Sequence, residues 1–238
     1  MDGSGNGAGA AALHSQNHND TLHPPFVIFG NRSLYLKRCN MTWPWFYDLA
    51  VSPLEALGLS RRRKNLLVQA TGRVLEIGGG TGVNLRHYGA NCRLVLTEPD
   101  EAMMRRAAKR RVIGARTASL VAADAQCLPF PSASFDMVVA TLTFCTIPQP
   151  AMAFREAHRV LRPAGKLLLL EHVRAGRPWI VRLQDALTPS WRILADGCHL
   201  NRDTLGLAAA NGFQVVQKRY ALDGVLLTAI LVANEVAA

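Results

Sequence analysis

A run of glycines follows an apolar stretch in the first half of the chain, in the sequence Val74-Leu75-Glu76-Ile77-Gly78-Gly79-Gly80-Thr81-Gly82. Glycines where a strand turns into a helix let the backbone bend sharply and approach a ligand that a Cβ atom would hold away. A turn that is merely rich in glycine is the alternative interpretation. Glu76 favours a ligand, because a carboxylate inside an apolar strand is costly to bury unless a cationic or hydrogen-bonding group uses it.

Two further acids follow later β-rich segments. Glu98 lies about 20 residues beyond the first glycine, where an acceptor can take hydrogen bonds from both hydroxyls of a ribose. Asp124 ends the next segment, in Ala122-Ala123-Asp124-Ala125, where it or the neighbouring backbone could meet the edge of an adenine. Open α/β sheets bind ligands at the carboxyl ends of their strands, so we expect the three acids at one edge.

These residues need a sheet that brings the strand ends together. Short β-rich runs alternate with helical stretches, which is typical of βαβ units on a parallel sheet. The predicted strands are Arg73–Ile77, Leu94–Thr97, Leu120–Ala123, Met137–Thr143, Lys166–Glu171, Gln214–Lys218 and Val225–Val232, with helices at Asp100–Val112 and Pro150–Leu161. The last two strands are too close in sequence for a crossover, so they must form an antiparallel hairpin around Asp223-Gly224. The predicted fold is α/β: a Rossmann-like, mainly parallel seven-stranded sheet with one antiparallel strand and helices on both faces.

Over about residues 70 to 235, the chain resembles the class I S-adenosylmethionine-dependent methyltransferases. The resemblance implies that Glu76 and the glycine loop hold the amino acid part of the cofactor, Glu98 its ribose, and Asp124 with Ala125 its adenine. The stretch Phe135-Asp136-Met137-Val138-Val139 with Thr141-Leu142 resembles the family's fourth strand, whose end lies beside the methionine moiety. The implied cofactor residues are Glu76, Gly78, Gly79, Gly80, Thr81, Gly82, Asn84, Glu98, Pro99, Asp124, Ala125, Thr141 and Leu142.

A shorter match resembles the methyltransferase-like alkyl-thiol methyltransferases and their bacterial relatives with a type 11 methyltransferase domain. It rests on Glu171-His172-Val173 and on Trp191 through Asp196-Gly197-Cys198-His199-Leu200-Asn201-Arg202. Residues 174–202 form an insertion with Trp, Leu and Ile between the fifth and sixth strands that could roof a pocket, so we expect a small, largely apolar acceptor, with a thiol among the candidates and a lipid or quinone as the alternative. The candidate catalytic residues are His172, Asp196 and His199, each of which could instead be a strand-end, capping or surface residue. No other Cys or His falls at a ligand spacing near Cys198-His199, so no metal is expected.

Two other functions use some of the same features. A nicotinamide-dependent oxidoreductase would share the strand, the glycine turn and the ribose carboxylate. However, its fingerprint needs a third glycine where this chain has Val83. A basic nucleic-acid-binding module would rest on the formal net charge of +10 alone. Much of that charge lies in two clusters, Arg61–Lys64 and Arg105–Arg111, whose spacing suits solvated helix faces. Nucleic acid is therefore not expected as a partner.

Composition limits the organisation of the chain. Its 238 residues are 49% apolar, enough for one α/β domain, which we place at residues 71–238. Residues 1–24 contain almost no large apolar side chains and predict a disordered tail. Residues 25–70 predict a helical lid segment, in which Tyr47 could close over the site. Scattered cysteines without a CxxC pair and no apolar run long enough for a membrane span favour the cytoplasm, with peripheral membrane contact and oligomeric state left open.

Overall fold

The structure, a computed structural model, describes residues 26–28, 55–114 and 118–234. Its strands form one sheet of eight in the order β1-β4-β3-β2-β5-β6-β8-β7. Their bounds are β1 Phe26–Ile28, β2 Gly72–Ile77, β3 Cys92–Thr97, β4 Ser119–Ala122, β5 Phe135–Thr141, β6 Leu161–His172, β7 Phe213–Ala221 and β8 Leu226–Ala233. The α-helices are α1 Ser60–Leu67, α2 Glu101–Gly114, α3 Pro150–Val160, α4 Pro178–Leu194 and α5 Thr204–Ala210. Short helical turns lie at Glu55–Leu59, Leu85–His87 and Leu222–Gly224.

The strand pairing confirms the predicted mainly parallel sheet. Strand β2 pairs in parallel with β3 and β5, and β5 pairs in parallel with β6. Strand β8 is the reversed strand, because it pairs antiparallel with both β6 and β7. The predicted hairpin turns at Leu222 and Asp223, which have φ values of 50° and 54°, and at Gly224.

One strand lies outside the predicted set of seven. Strand β1 pairs in parallel with β4 and adds an edge to the sheet. Its residues are β-branched or aromatic, which favours extended backbone, but they fall in the segment that we predicted to be helical. In the other described part of that segment, residues 55–70, the chain is helical at Glu55–Leu59 and α1 and turns at Val68 and Gln69.

Strand β2 in the middle of the sheet is buried on both faces, as expected of a parallel strand with helices on each side. Val74 packs in one apolar cluster, whereas Leu75 and Ile77 pack in the other. Helices cover both clusters. In the cluster that contains Leu75 and Ile77, Phe144 stacks on Phe154 with 3.9 Å between the ring centroids. This rigid sheet fixes where the ends of β2 to β6 lie.

Some predictions fall on residues that the structure does not describe. They are the disordered tail at residues 1–24 and the lid role of Tyr47. Within residues 55–114 and 118–234, no helix has both the length and the apolar character that crossing a bilayer requires.

Candidate active site

The carboxyl ends of β2 to β6 share one edge of the sheet, because these five strands run parallel to their neighbours. Glu76 lies near the end of β2, Glu98 follows β3 and Asp124 follows β4. Thr141 ends β5 and His172 ends β6. The fold therefore brings the predicted cofactor residues and one predicted catalytic residue to the same edge.

The glycine loop leaves β2 in a conformation that requires its glycines. Gly78, Gly80 and Gly82 have φ values of +63°, +54° and +78°, in the left-handed region that disfavours a Cβ atom. Gly79 is packed tightly, since a Cβ atom there would lie 2.2 Å from the Cγ of Leu96. A Cβ atom at Gly80 would meet nothing within 4 Å, so the loop presents bare backbone to open space at that point.

Glu98 is joined to the glycine loop. Its Oε2 accepts a hydrogen bond of 2.8 Å from the Gly80 N–H, and its Oε1 accepts one of 2.9 Å from the Asp100 N–H. Burial raises the pKa of Glu98 to about 7, with the two backbone donors opposing the shift. Each carboxylate oxygen keeps a second lone pair, so the group retains the acceptor capacity that a ribose needs. Pro99 follows directly and is partly buried.

Glu76 lies inside a buried polar network rather than at the surface. Asn84 Nδ2 donates to its Oε1 at 2.7 Å, and the Tyr88 hydroxyl donates to its Oε2 at 3.0 Å. Burial raises the pKa of Glu76 to about 7. In this arrangement the carboxylate braces the chain after the glycine loop, and its contact with a ligand ammonium stays a prediction.

Arg63 completes this network, although it was not among the residues predicted for the site. The side chain is 2% exposed, and its guanidinium donates to Asn84 Oδ1 at 3.0 Å and to Thr141 Oγ1. It also pairs with Glu55 at 2.8 Å. The prediction that the whole Arg61–Lys64 cluster is solvated is therefore wrong for Arg63. The signal was available in the helical spacing, because Arg63 shares a face of α1 with the buried Leu66 and Leu67.

A second arginine reaches the glycine loop from α2. Arg110 Nη1 donates to the Thr81 carbonyl at 2.9 Å and to the Thr81 hydroxyl. The basic cluster Arg105–Arg111 therefore also includes a residue, Arg110, that holds the glycine loop. Arg105 of the same cluster is exposed and pairs with Glu101 on the same helix.

Asp124 and Ala125 lie one strand farther along the edge. The Asp124 carboxylate accepts from the backbone N–H of Gln126 at 2.8 Å and from its side-chain amide. Ala125 is buried. These contacts fix the turn after β4 at the place where the resemblance puts the adenine.

Strand β5 ends in a strained turn beside the network. Leu142 has a φ of +54°, which is uncommon for a residue with a branched side chain, and its N–H donates to the Leu170 carbonyl at 2.7 Å. The next two N–H groups, of Thr143 and Phe144, donate to Glu171 Oε1 at 2.8 and 3.0 Å. Strain of this kind often marks a functional site, and here Glu171 holds it in place.

The predicted catalytic residue His172 contacts a cysteine. His172 Nε2 lies 2.8 Å from Cys198 Sγ, and the Trp191 indole donates to the same sulfur at 3.3 Å. A hydrogen bond from the Cys145 thiol lowers the pKa of Cys198 to about 5 and raises that of Cys145. Burial lowers the pKa of His172, but the hydrogen bond to Cys198 together with the charges of Cys198 and Glu171 outweighs burial, and the pKa is raised.

The other two predicted catalytic residues lie differently. His199 Nδ1 is 2.9 Å from Arg202 Nη2 and thus accepts from the guanidinium, which leaves the ring neutral. Burial and the charge of Arg202 lower the pKa of His199. Asp196 is exposed in a left-handed turn before Gly197, with a φ of +48°. The structure therefore brings His172 and His199 to the edge near Cys145, and leaves Asp196 at the surface.

The residues present fit S-adenosylmethionine. Bare loop backbone at Gly80 lies next to an acceptor, Glu98, that the same loop orients. Arg63 supplies a buried cation beside Thr141, where the resemblance places the methionine end. A ligand with a ribose and an amino acid group matches this set of donors and acceptors.

Comparison with known proteins identifies the family. Residues 75–169 match a family described as a methyltransferase domain. The human thiol S-methyltransferase TMT1B is 33% identical over 179 residues, which cover 70% of this chain and 72% of that protein. The chain belongs to the class I S-adenosylmethionine-dependent methyltransferases. Its cofactor is S-adenosylmethionine, and the nicotinamide alternative is set aside.

Other relatives of this methyltransferase match shorter stretches. Human thiol S-methyltransferase TMT1A is 34% identical over 136 residues, so the chain spans about half (55%) of that relative. The ubiquinone/menaquinone biosynthesis C-methyltransferase UbiE of Ectopseudomonas mendocina is 33% identical over 162 residues, which cover 63% of this chain and 62% of that protein.

Solved structures share the fold of the methyltransferase. The YcgJ protein from Bacillus subtilis has a TM-score of 0.60 at 17% identity, covering 76% of this chain and all of that one. A SAM-dependent methyltransferase from Thermotoga maritima has a TM-score of 0.55 at 20% identity, covering 80% of this chain and all of that one. At such identities the likeness concerns the fold, because one fold supports many activities.

Proposed function

We propose that the methyltransferase transfers the methyl group of S-adenosylmethionine to the sulfur of a small, largely apolar thiol. The observation that carries this proposal is the 33% identity across 72% of human TMT1B, whose name is thiol S-methyltransferase. When bound, S-adenosylmethionine supplies an electrophilic methyl group on a sulfonium. The chain must therefore contribute mainly the positioning of cofactor and acceptor.

We assign the cofactor contacts to the edge of the sheet formed by β2 to β5. The Gly78–Gly82 loop, including Thr81, approaches the amino acid part, and Arg63 supports this end of the site from the buried network through Asn84 and Thr141. Glu98 with Pro99 takes the ribose, and Asp124 with Ala125 takes the adenine. Thr141 and Leu142 border the methionine end, and Glu76 with Asn84 braces them from behind. The contacts that support these roles are those of Glu98 with Gly80 and of Arg63 with Thr141.

The proposal of an apolar acceptor is supported by a stripe of exposed apolar side chains on helix α4. Its exposed side chains repeat every four residues and form one stripe: Trp179 (60% exposed), Leu183 (50%), Leu187 (49%) and Trp191 (43%). Trp191 also contacts Cys198, which connects the stripe to the part of the edge around His172 and Cys198, where we place the acceptor and which we call the acceptor side. An apolar acceptor can be held along this stripe, and peripheral contact with a lipid surface remains a further prediction for the same face.

A thiol acceptor needs less help from a general base than an alcohol does, because more of it is already ionised near neutral pH. A cysteine-like thiol with a pKa of about 8.5 is ionised to roughly a tenth at pH 7.5, and a simple alkyl thiol, although less acidic, still supplies far more anion than an alcohol does. We propose that His172 orients or deprotonates the acceptor and that His199, whose Nδ1 lone pair accepts from Arg202, helps to orient it, whereas Asp196 is exposed in its turn and is the weaker candidate. We therefore keep the two histidines as the leading catalytic candidates.

A methyl-transfer assay with matched acceptors tests the proposal. The enzyme is incubated with S-adenosylmethionine labelled in its methyl group, together with a linear alkyl thiol or the alcohol of the same chain length. We expect the thiol to be labelled at least about 100-fold faster than the alcohol, since only the thiol supplies its own nucleophilic anion. Equal labelling of the two would contradict the proposal.

The relatives named UbiE favour a second candidate, methylation of a quinol ring carbon. The same assay with a reduced, short-chain quinone separates the two functions. Label on the quinol with none on the thiol would replace our proposal with this alternative. Fragmentation in mass spectrometry then shows whether the labelled methyl group is bonded to a ring carbon or to sulfur.

A further inference from the structure

Two cysteines and a histidine from distant parts of the chain converge at the acceptor side of the edge. Cys145 lies in the loop after β5, His172 ends β6 and Cys198 follows α4. One ligand atom from each lies within 4.8 Å of the other two. Cys145 and Cys198 are 1% and 6% exposed, so the cluster is buried rather than a chance surface grouping.

The backbone around the cluster is held by a set of mutual hydrogen bonds. The His199 N–H donates to the Cys145 carbonyl at 2.9 Å. Arg202 donates to the Phe144 carbonyl and, at 2.8 Å, to the Ile147 carbonyl. The segment that carries Cys198 is thereby clamped to the loop that carries Cys145.

We propose that Cys145, His172 and Cys198 bind one zinc ion through the two sulfur atoms and the imidazole Nε2, with a fourth position open. Two thiolates, one imidazole and an open position are a donor set that catalytic zinc sites use. Zinc bonds of about 2.3 Å to sulfur and 2.0 Å to nitrogen place tetrahedral ligand atoms about 3.5–3.8 Å apart. Side-chain movements of about 1 Å bring the three atoms to this spacing.

The charges and the remaining hydrogen bonds suit such an ion. On binding, the Cys145 S–H bond and the bond to the proton between His172 Nε2 and Cys198 Sγ break, both protons leave to solvent, and one electron pair from each sulfur and from Nε2 forms a bond to zinc. The two thiolates then neutralise the dication. The Trp191 indole N–H already donates to Cys198 Sγ, as outer donors do to metal-bound thiolates. Among the described residues His172 Nδ1 has no hydrogen-bond partner, so it is free to carry the proton of a neutral, metal-binding imidazole.

The position of the site gives the metal a use. Cys145 follows Thr141 by four residues, and β5 and β6 pair directly at Thr141 and Leu170, two residues before His172. An ion at this edge, with one position open, could take the acceptor sulfur as a thiolate. With zinc bound, His172 acts as a metal ligand and the ion, rather than His172 as a base, stabilises the acceptor thiolate. This use rests on the proposed thiol acceptor, whereas the metal site itself does not.

Cobalt titration of the full chain tests the site without any activity assay. The protein is treated with a chelator, kept reduced with a phosphine, and titrated with Co²⁺ while thiolate-to-cobalt charge-transfer absorption is recorded. We expect one Co²⁺ per chain and loss of the band when Zn²⁺ is added. Failure of the unchanged protein to develop the band, or a band that Zn²⁺ does not displace, would overturn the proposal.

Variants locate the ligands. Cys145→Ser, Cys198→Ser and His172→Asn should each weaken metal binding by more than about 100-fold, since loss of outer-shell partners alone costs 10- to 100-fold. Cys127→Ser is the matched control, because Cys127 is a free, exposed thiol outside the cluster. Circular dichroism establishes that each variant is folded, and zinc content of the purified protein gives a second readout. Unchanged binding in Cys198→Ser and His172→Asn would refute the assignment.

An added alkyl thiol separates this inference from the proposed function. If the acceptor sulfur enters the open position, the thiol shifts the visible bands of the cobalt protein and the matched alcohol does not. A cobalt site that the thiol leaves unchanged overturns the use of the metal in acceptor binding, and leaves both the site and thiol methylation to their own tests.

Discussion

Replacement of Arg63 by methionine tests the buried network that supports the glycine loop. The change keeps most of the aliphatic volume but removes the donors to Asn84 Oδ1 and Thr141 Oγ1 and the ion pair with Glu55. The side chain is 2% exposed, so water cannot replace these donors without rearrangement. Breaking a buried, paired charge in this way costs about 3–5 kcal/mol in the free energy of unfolding.

The expected loss is large enough to measure by thermal unfolding. For a domain of this size, 1 kcal/mol corresponds to a change of about 2–4 °C in Tm, so Arg63→Met should lower Tm by roughly 6–20 °C. The matched control is Arg61→Met on the same helix, because Arg61 is exposed and should change the free energy by less than about 0.5 kcal/mol. Cofactor affinity, measured by calorimetry, should fall for Arg63→Met and not for Arg61→Met. Equal Tm values for the two variants would show that the network does not support the fold.

Two further predictions concern the cofactor loop. Gly79→Ala should abolish cofactor binding or lower the free energy of unfolding by about 1–3 kcal/mol, because the added Cβ atom would lie 2.2 Å from Leu96. Gly89→Ala is the control and should do neither, since a Cβ atom there meets nothing within 4 Å. Calorimetry measures the cofactor affinity and urea unfolding measures the stability. Cofactor affinity should rise with pH as Glu98 ionises near its pKa of about 7, and Glu98→Gln should flatten that dependence; a steep rise that persists in the variant would assign it to another group. Stability should change in the opposite sense, since a carboxyl pKa raised by burial contributes stability below its unfolded value of about 4.5, and this contribution is lost as pH rises through about 7.

The sheet could be predicted from sequence because its signals are local. Apolar runs such as Val74–Ile77, followed by glycines, define the strand ends, and the short link at Asp223-Gly224 forces a hairpin. Strand β1 could not be predicted in this way. Three residues carry too little periodicity, and their pairing with β4 depends on a partner more than 90 residues away.

The residues at the site were predictable to the extent that their motif is continuous in sequence. Gly78–Gly82 and Glu98 lie next to their strands, so spacing alone placed them. The grouping of Cys145 with His172 and Cys198 was missed, because each comes from a different element and no short spacing relates them. Arg63 was missed for another reason: within a run of four basic residues, a buried side chain looks the same as its solvated neighbours until helical phase is considered.

Glu171 has a consequence for how this enzyme can change its substrate. Because its carboxylate fixes the backbone direction of Thr143 and Phe144, the turn after β5, beside which we propose that the acceptor binds, is held from the neighbouring strand β6. The exposed side of α4 carries no such constraint, since its large apolar residues face outward. We therefore expect new acceptor preferences to arise by exchange of the apolar residues on α4, while the turn after β5 and the cofactor site stay unchanged.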